Sequence, residues 1–119
     1  MIRRTMTNQQ KQRIISSIRD ELFKYEEVVF AYLHGSFLGE GAFADVDLAL
    51  FLDSEFTDAR SGLSAKVSKE ETFSYELEKA VQLFRHIGLE VDVRVLNFAP
   101  LGFQFNVTKG SLLFTKDER

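Results

Sequence analysis

Cysteine is absent from this sequence of 119 residues. Without a thiol the chain forms no disulfide, offers no thiolate to a metal ion and has no cysteine nucleophile. Histidine is scarce as well: His34 and His86 are far apart in the sequence, so we do not expect a histidine metal site. The lack of cysteine agrees with a reducing compartment, and we expect a cytoplasmic protein.

Long apolar runs and an excess of basic residues are also missing. No stretch approaches the ~20 apolar residues that span a membrane, and the polar segment after Arg3 and Arg4 lacks the apolar core of a signal peptide. The net charge is −3 and the isoelectric point is near 5.4, which leaves no strongly basic face for a phosphate backbone. We therefore expect a soluble protein that binds neither membrane nor nucleic acid.

The length and composition suit one folded unit. A chain of 119 residues fits a single domain, residues 1–119, because domains usually have about 100–200 residues. Hydrophobic residues make up 45% of the chain and phenylalanine is abundant, which is enough for a core. We find no internal repeat, low-complexity segment or linker.

The most informative stretch begins with an apolar run that ends in a Gly-Ser pair. Residues 28–33 are strand-forming and apolar without interruption, which predicts a strand buried on both faces. His34 ends the run, and Gly35 then allows a tight turn and a close approach of the backbone to a ligand. Ser36 adds a hydroxyl and an amide, the groups that hold phosphate oxygens. We interpret this turn as a phosphate-binding site.

Two aspartates open the next predicted strand, residues 46–52. Asp45 and Asp47 are two residues apart, so the alternation of a strand points both carboxylates to one face. Two anions side by side against an apolar body are unfavourable unless a cation neutralises them, and a divalent ion with oxygen ligands is the usual solution. The pair therefore indicates a metal site.

A third aspartate has the same geometry in a later strand. In residues 89–96 the valines share one face, while Asp92 and Arg94 share the other. If this strand lies beside residues 46–52, at the ~4.8 Å spacing of paired strands, Asp92 joins Asp45 and Asp47. We predict that these three carboxylates hold metal ions.

Helical spacing predicts the elements that surround these strands. One helix starts at Thr7 and another runs from Glu70 to Ile87, with Gly88 at its end. The apolar stripes that predict them are Ile14, Ile15, Ile18, Leu22 and Tyr25 in the first helix, and Phe73, Leu77, Val81 and Phe84 in the second. The basic residues of the first helix are interpreted as a solvated face.

The remaining elements are shorter. Pro100 fits the start of a short helix that runs to about Lys109, and residues 111–114 read as a last strand. The polar stretch after Asp53 is weakly patterned, and we interpret it as a loop or a frayed helix start over the site, with Arg60 among its cations.

The connections predict the topology of the sheet. A helical crossover joins the second and third strands and favours parallel pairing, whereas the short connection after His34 favours an antiparallel hairpin. The sequence thus predicts an α/β (α+β) fold with a small mixed sheet and helices packed on one face.

This order of elements resembles the minimal nucleotidyltransferases of the DNA polymerase β superfamily over nearly the whole chain. The segments that carry the resemblance are the Gly-Ser pair, DVDLAL, VDVRVLNFAP and the closing GSLLFTKDER. It implies a polymerase β-like core in which Asp45, Asp47 and Asp92 hold two Mg²⁺ ions. It also implies that Gly35 and Ser36 bind the outer phosphates of ATP or another nucleoside triphosphate, and that Asp92 helps to deprotonate the acceptor.

One part of the family pattern is absent. Relatives usually carry Ala-Arg-Gly after the Gly-Ser pair, whereas Phe37, Leu38 and Gly39 follow it here. The missing arginine leaves a cation to be supplied by Arg94, Lys66 or Lys69, and the sequence does not choose among them.

The resemblance also implies a partner. Small members of this family are commonly antitoxins of HEPN-domain toxins, and some transfer AMP to a tyrosine of the toxin. We therefore expect a Mg²⁺-dependent enzyme that moves AMP from ATP onto a hydroxyl of a partner protein. The alternative is an inactive binding module that neutralises its partner by covering it, which the missing arginine favours. A plain metal-binding or structural domain is a third hypothesis and leaves the three aspartates unexplained.

The last residues bear on self-association. Thr115 and Glu118 have the spacing of a capping box, which usually opens a helix. If a helix of the family is missing there, the apolar surface that it covers in relatives would contact another chain, such as a second copy. The alternative is an ordinary polar tail.

Overall fold

The structure is a computed structural model that describes residues 3–53, 55–57, 64–66 and 68–116. Its helices and strands, in chain order, are α1 (Asn8–Phe23), β1 (Val28–His34), β2 (Val46–Leu52), β3 (Glu55–Thr57), β4 (Ser64–Lys66), α2 (Lys69–Ile87), β5 (Val91–Val95), α3 (Leu101–Val107) and β6 (Ser111–Thr115). A single 3-10 turn, Ser36–Leu38, follows β1. Asp117 and Glu118, on which the capping-box hypothesis depends, lie outside the described residues.

A mixed sheet forms the centre of the fold. Its four strands have the spatial order β5-β2-β1-β6. β1 pairs antiparallel with both β2 and β6, while β2 pairs parallel with β5. The parallel pair is joined by α2, as a parallel pair requires a long crossover. The predicted α/β (α+β) fold with a mixed sheet is confirmed.

The two long helices cover one face of this sheet, as predicted. Alternate residues of the central strands meet Ile18 and Leu22 of α1 and Leu83 of α2 in the main core. The strand residues of that core include Ala31, Leu33, Leu48, Leu50, Val93 and Val95. Strand alternation leaves the intervening residues for the opposite face.

The short helix α3 packs on that opposite face, which the prediction of helices on one face did not include. Val107 of α3 is buried with Ala49 and Leu96, and Phe30 and Tyr32 of β1 pack against this second cluster. The rings of Phe30 and Tyr32 lie on this face and need apolar cover, since each exposed ring would cost transfer free energy. The strand β1, predicted to be buried on both faces, is fully buried on the face of the main core and partly buried on the face of α3.

Helix α2 has the expected limits, but its apolar stripe is not its packing face. The Ser68 side chain accepts a hydrogen bond from the amide of Glu71, and Gly88 ends the helix in the left-handed conformation, with φ of 76°. The buried residues of α2 are Lys79 and Leu83. The stripe that predicted the helix faces outward.

The segment between β2 and α2 differs from its prediction. β3 and β4 pair antiparallel as a separate two-stranded sheet, in place of a loop or a frayed helix start. Each strand has three residues, which is too short for an alternating pattern to be recognised. Arg60 lies outside the described residues. Among the described helices, none is both long and apolar enough to cross a membrane.

A buried lysine links α2 to the end of α1. The Lys79 ammonium lies 3.5 Å from the centre of the Tyr25 ring and 3.7 Å from a carboxylate oxygen of Glu27. The Tyr25 hydroxyl lies 3.2 Å from Glu21 and 3.1 Å from Gln82. Burial, reinforced by the charge of Glu21, raises the pKa of Tyr25 from 10.0 to about 12.

This raised pKa predicts a loss of stability in alkali. The folded protein holds the Tyr25 proton more tightly than the unfolded chain, so this contribution is complete below pH 10.0 and is lost as the pH rises toward about 12. We expect the melting temperature to fall over that range, and to fall less steeply in Tyr25→Phe. An identical slope in the variant would contradict the assignment.

Candidate active site

Three neighbouring strands bring polar side chains into one row across the sheet. His34 at the end of β1 lies opposite Asp47 of β2, and Asp47 lies opposite Asp92 of β5. Directly opposite residues point to the same face, so the three side chains share a face. Asp45 precedes Asp47 by two residues in the chain. The parallel register of β2 and β5 is what places Asp92 beside the Asp-x-Asp pair, as the sequence predicted.

The Gly-Ser turn lies against this row. Gly35 has φ of 81°, which favours glycine, and a Cβ atom there would overlap the Asp47 carboxylate. Ser36 is exposed and opens the 3-10 turn, in which the Leu38 amide donates a hydrogen bond of 3.2 Å to the Gly35 carbonyl. The turn predicted to bind phosphate is therefore in contact with the predicted metal ligands.

Burial and neighbouring carboxylates both act on the ionisation of Asp47. Burial raises the pKa of the Asp47 carboxyl above its ordinary value, and the charges of Asp92 and Asp45 raise it further. His34 and Arg94 act in the opposite direction without cancelling the effect. The three predicted ligands thus interact electrostatically, and a cation would stabilise the ionised form of Asp47.

Asp92 is held by its neighbour on β5. The Arg94 guanidinium donates a hydrogen bond of 3.2 Å to a carboxylate oxygen of Asp92, and both side chains are partly exposed. Among residues 3–53, 55–57, 64–66 and 68–116, no three His, Asp or Glu side chains are arranged closely enough to form a ready metal site. A shared ion would therefore require at least one of these carboxylates to move.

The residues present nevertheless fit a hard divalent cation. Asp45, Asp47 and Asp92 offer carboxylate oxygens, the ligands that Mg²⁺ prefers. The raised pKa of Asp47 is a second observation, because burial makes the ionised carboxylate unfavourable and the charges of Asp92 and Asp45 add to that effect. A bound cation would stabilise the ionised carboxylate.

Two of the three lysine and arginine candidates share a cavity beside the row. Lys69 and Arg94 both line a cavity of about 380 Å³. Phe103 lines it too, and its ring meets the His34 ring edge to face at 5.8 Å between centres. The side chain of Lys66 lies outside the described part of the chain. Of the candidates whose side chains the structure describes, Arg94 and Lys69 both line this cavity.

Sequence reasoning gave no role to two contributors to this region, although it noted His34 beside the phosphate turn. His34 lay next to the predicted turn, but its contact with Phe103 depends on α3, which is distant in sequence. Within the described residues the His34 Nε2 atom is buried and has no hydrogen-bond partner. An unpaired buried nitrogen is unfavourable, so it is a natural contact point for a polar ligand group.

Lys11 is the second contributor, and it corrects the interpretation of the basic residues of α1 as solvated. Its side chain is buried, and its ammonium donates a hydrogen bond of 2.8 Å to the Gly39 carbonyl. It also lies 5.3 Å and 5.2 Å from the ring centres of Phe37 and Phe43. Lys11 thereby fixes the segment that follows the Gly-Ser turn, through a contact that local sequence does not encode.

The parallel β2-β5 pair, the carboxylates on its shared face and the Gly-Ser turn beside them define a nucleotidyltransferase fold of the polymerase β type. The family model described as "Polymerase beta, Nucleotidyltransferase" matches residues 16–119. The chain belongs to this family.

Solved structures of antitoxin complexes share the fold. The chain resembles one in the complex of a tri-AMPylated Shewanella oneidensis HEPN toxin with MNT antitoxin, with 20% identity over 92% of this chain and 73% of that chain, and a TM-score of 0.54. A chain of the toxin-antitoxin complex MntA-HepT is 18% identical over 92% of this chain and 73% of that chain, with a TM-score of 0.55.

A further solved structure, from Shewanella oneidensis, is 18% identical over 87% of this chain and 71% of that chain, with a TM-score of 0.56. A search of the curated proteins found no match. The resemblance to minimal nucleotidyltransferases is confirmed for family and fold.

Proposed function

We propose that this protein is a Mg²⁺-dependent nucleotidyltransferase that moves AMP from ATP onto a hydroxyl of a HEPN-type toxin, as the antitoxin of a cytoplasmic toxin-antitoxin pair. The observation that carries the proposal is the contact of Gly35 with Asp47 in a row that also contains Asp92. A turn suited to phosphates thus lies directly beside carboxylates suited to metal ions. The complexes of MNT antitoxins with HEPN toxins, one of them tri-AMPylated, support the choice of partner and reaction.

Asp45, Asp47 and Asp92 would hold the metal ions. When bound, Mg²⁺ would neutralise charge on the attacking and leaving oxygens of an in-line displacement. Gly35 and Ser36 would hold the outer phosphates, with the Ser36 hydroxyl donating to a phosphate oxygen. Asp92 would accept the proton of the acceptor hydroxyl, because its carboxylate lies at the open edge of the row.

The reaction places AMP on the acceptor. The acceptor oxygen forms a bond to the α-phosphorus, and the bond from that phosphorus to the oxygen bridging to the β-phosphate breaks. Pyrophosphate leaves with that electron pair. Arg94 and Lys69 line the cavity beside Asp92, and we assign to them the positive charge that the missing family arginine would supply.

A binding module is the second hypothesis. It is favoured by the Phe37-Leu38-Gly39 segment in place of Ala-Arg-Gly, and by the hydrogen bond that keeps Asp92 on Arg94. In that case the protein neutralises its partner by covering it, with no transfer.

Labelled ATP distinguishes the hypotheses. With the HEPN partner and Mg²⁺, label at the α position should appear on the partner, and its mass should rise by one AMP. Asp92→Asn should reduce the rate by about 100-fold or more, the usual range for a general base. The control Asp20→Asn makes the same chemical change on the exposed surface of α1 and should have no effect.

Other outcomes have different meanings. Label from the γ position would identify a kinase and contradict the proposal. A tight complex without transfer of either label would support the binding module instead.

A further inference from the structure

The outward face of α2 carries an apolar surface that the fold does not use. We call it the α2 stripe; its members and exposed fractions are Phe73 (71%), Leu77 (57%), Val81 (44%) and Phe84 (50%). The spacing of these residues places them on one side of the helix, over about three turns. Large apolar side chains that are exposed together usually mark an interaction site.

A different face of α2 makes the contacts within the chain. Leu83 packs into the main core, and Tyr75, Lys79 and His86 contact residues of α1 or of the segment that follows it. The α2 stripe is turned away from both. It is therefore available to a partner without any rearrangement of the fold.

The two ends of α2 carry opposite charges. Glu70 and Glu71 lie in the first turn, and Arg85 and His86 lie in the last. Glu70 and Arg85 are exposed and lie on the same side of α2 as the α2 stripe, since they are separated by 15 residues, a little over four turns.

We propose that the α2 stripe is the interface with a second copy of this chain, which docks with its α2 antiparallel. A two-fold axis between residues 78 and 79 would place Phe73 against the second copy's Phe84. Leu77 would lie against its Ala80, a small residue that borders the α2 stripe and also packs in part against the main core. The two phenylalanines are thus related by the axis, and Leu77 lies near its centre.

The charges select the antiparallel arrangement and a second copy as the occupant. About such an axis, Glu70 of one copy and Arg85 of the other differ by only about 3 Å in height along the helix. A parallel pair would bring Glu70 of both copies to one end of the interface and Arg85 of both copies to the other, which like-charge repulsion opposes. A two-fold interface uses the same surface on both subunits, and the α2 stripe with its charged ends is complementary to itself in this way.

Light scattering and sedimentation of the full chain, without its toxin partner, test this proposal. We expect a concentration-dependent dimer whose dissociation constant rises about tenfold or more in Leu77→Glu, the change typical of a central interface residue. Leu101→Glu is the matched control: Leu101 is 81% exposed but lies on α3, and the dimer should be unchanged. Circular dichroism and a melting curve establish that each variant is folded.

Charge reversal tests the orientation. Glu70→Arg and Arg85→Glu should each weaken the dimer, and the double variant should restore it because the pair is rebuilt with opposite signs. A chain that is monomeric at all concentrations would overturn the proposal, even if Leu77→Glu weakens the toxin complex. A dimer unaffected by Leu77→Glu, or not restored in the double variant, would also overturn it.

Discussion

Asparagine at both Asp45 and Asp47 will abolish Mg²⁺-dependent ATP binding and leave the protein folded and at least as stable. The two changes remove carboxylates that we assign as ligands of the metal ions. Loss of a group that only supports a metal ligand usually lowers affinity by about 10–100-fold, so we expect loss of the ligands to lower it by about 100-fold or more. They also remove like charges that interact in the free protein, since Asp92 and Asp45 both raise the pKa of Asp47.

The gain in stability should depend on pH. The folded-state pKa of Asp47 is raised above its ordinary 3.8, so the folded protein binds this proton more tightly than the unfolded chain does. Stability from this source is complete below pH 3.8 and is lost as the pH rises through the folded-state pKa. The variant should therefore exceed the natural protein in melting temperature at neutral pH and lose that advantage in acid.

Calorimetric titration with ATP and Mg²⁺, together with melting curves at several pH values, measures both effects. Asp20→Asn is the control for a changed charge on the surface. Unchanged ATP affinity in the double variant would contradict the assignment of Asp45 and Asp47 as metal ligands. A lower melting temperature at neutral pH would contradict the repulsion between the carboxylates.

Alanine at Gly35 will also abolish ATP binding, by a steric route. The Cβ atom of the alanine would overlap the Asp47 carboxylate. The backbone at this position has φ of 81°, which is strained for a residue with a side chain. The carboxylate or the turn must move, and either movement separates the predicted phosphate site from the predicted metal ligands. We also expect unfolding to become easier by about 1–3 kcal/mol.

Gly41→Ala provides a matched control. Gly41 has a similar φ of 92°, but nothing lies within 4 Å of an added Cβ atom. Both variants carry backbone strain, so the difference between them measures the overlap with Asp47. Chemical denaturation and ATP titration should show a small loss of stability and normal binding in Gly41→Ala. Equal effects in the two variants would show that backbone strain alone is responsible.

Local sequence pattern predicted most of the helices and strands, and it predicted which candidate site residues would be adjacent. Strand alternation determined which side chains share a face, so Asp47 and Asp92 could be placed together once a helical crossover required β2 and β5 to be parallel. Gly88 marked the end of α2 because its left-handed conformation favours glycine. Strand alternation and the helix end depend on residues that are close in sequence. The parallel pairing depends on the length of the crossover between the two strands.

Other features were decided only by the tertiary structure. Periodicity showed that Phe73, Leu77 and Phe84 share a face, but not that α2 would bury the face of Leu83 and leave theirs exposed. Lys11 is buried because it meets Gly39, 28 positions away, and α3 covers Phe30 and Tyr32 only because the chain returns across the second face. Amphipathic pattern thus determined which residues act together, whereas the packing of distant segments decided which surfaces are covered, because burial depends on neighbours that are remote in sequence.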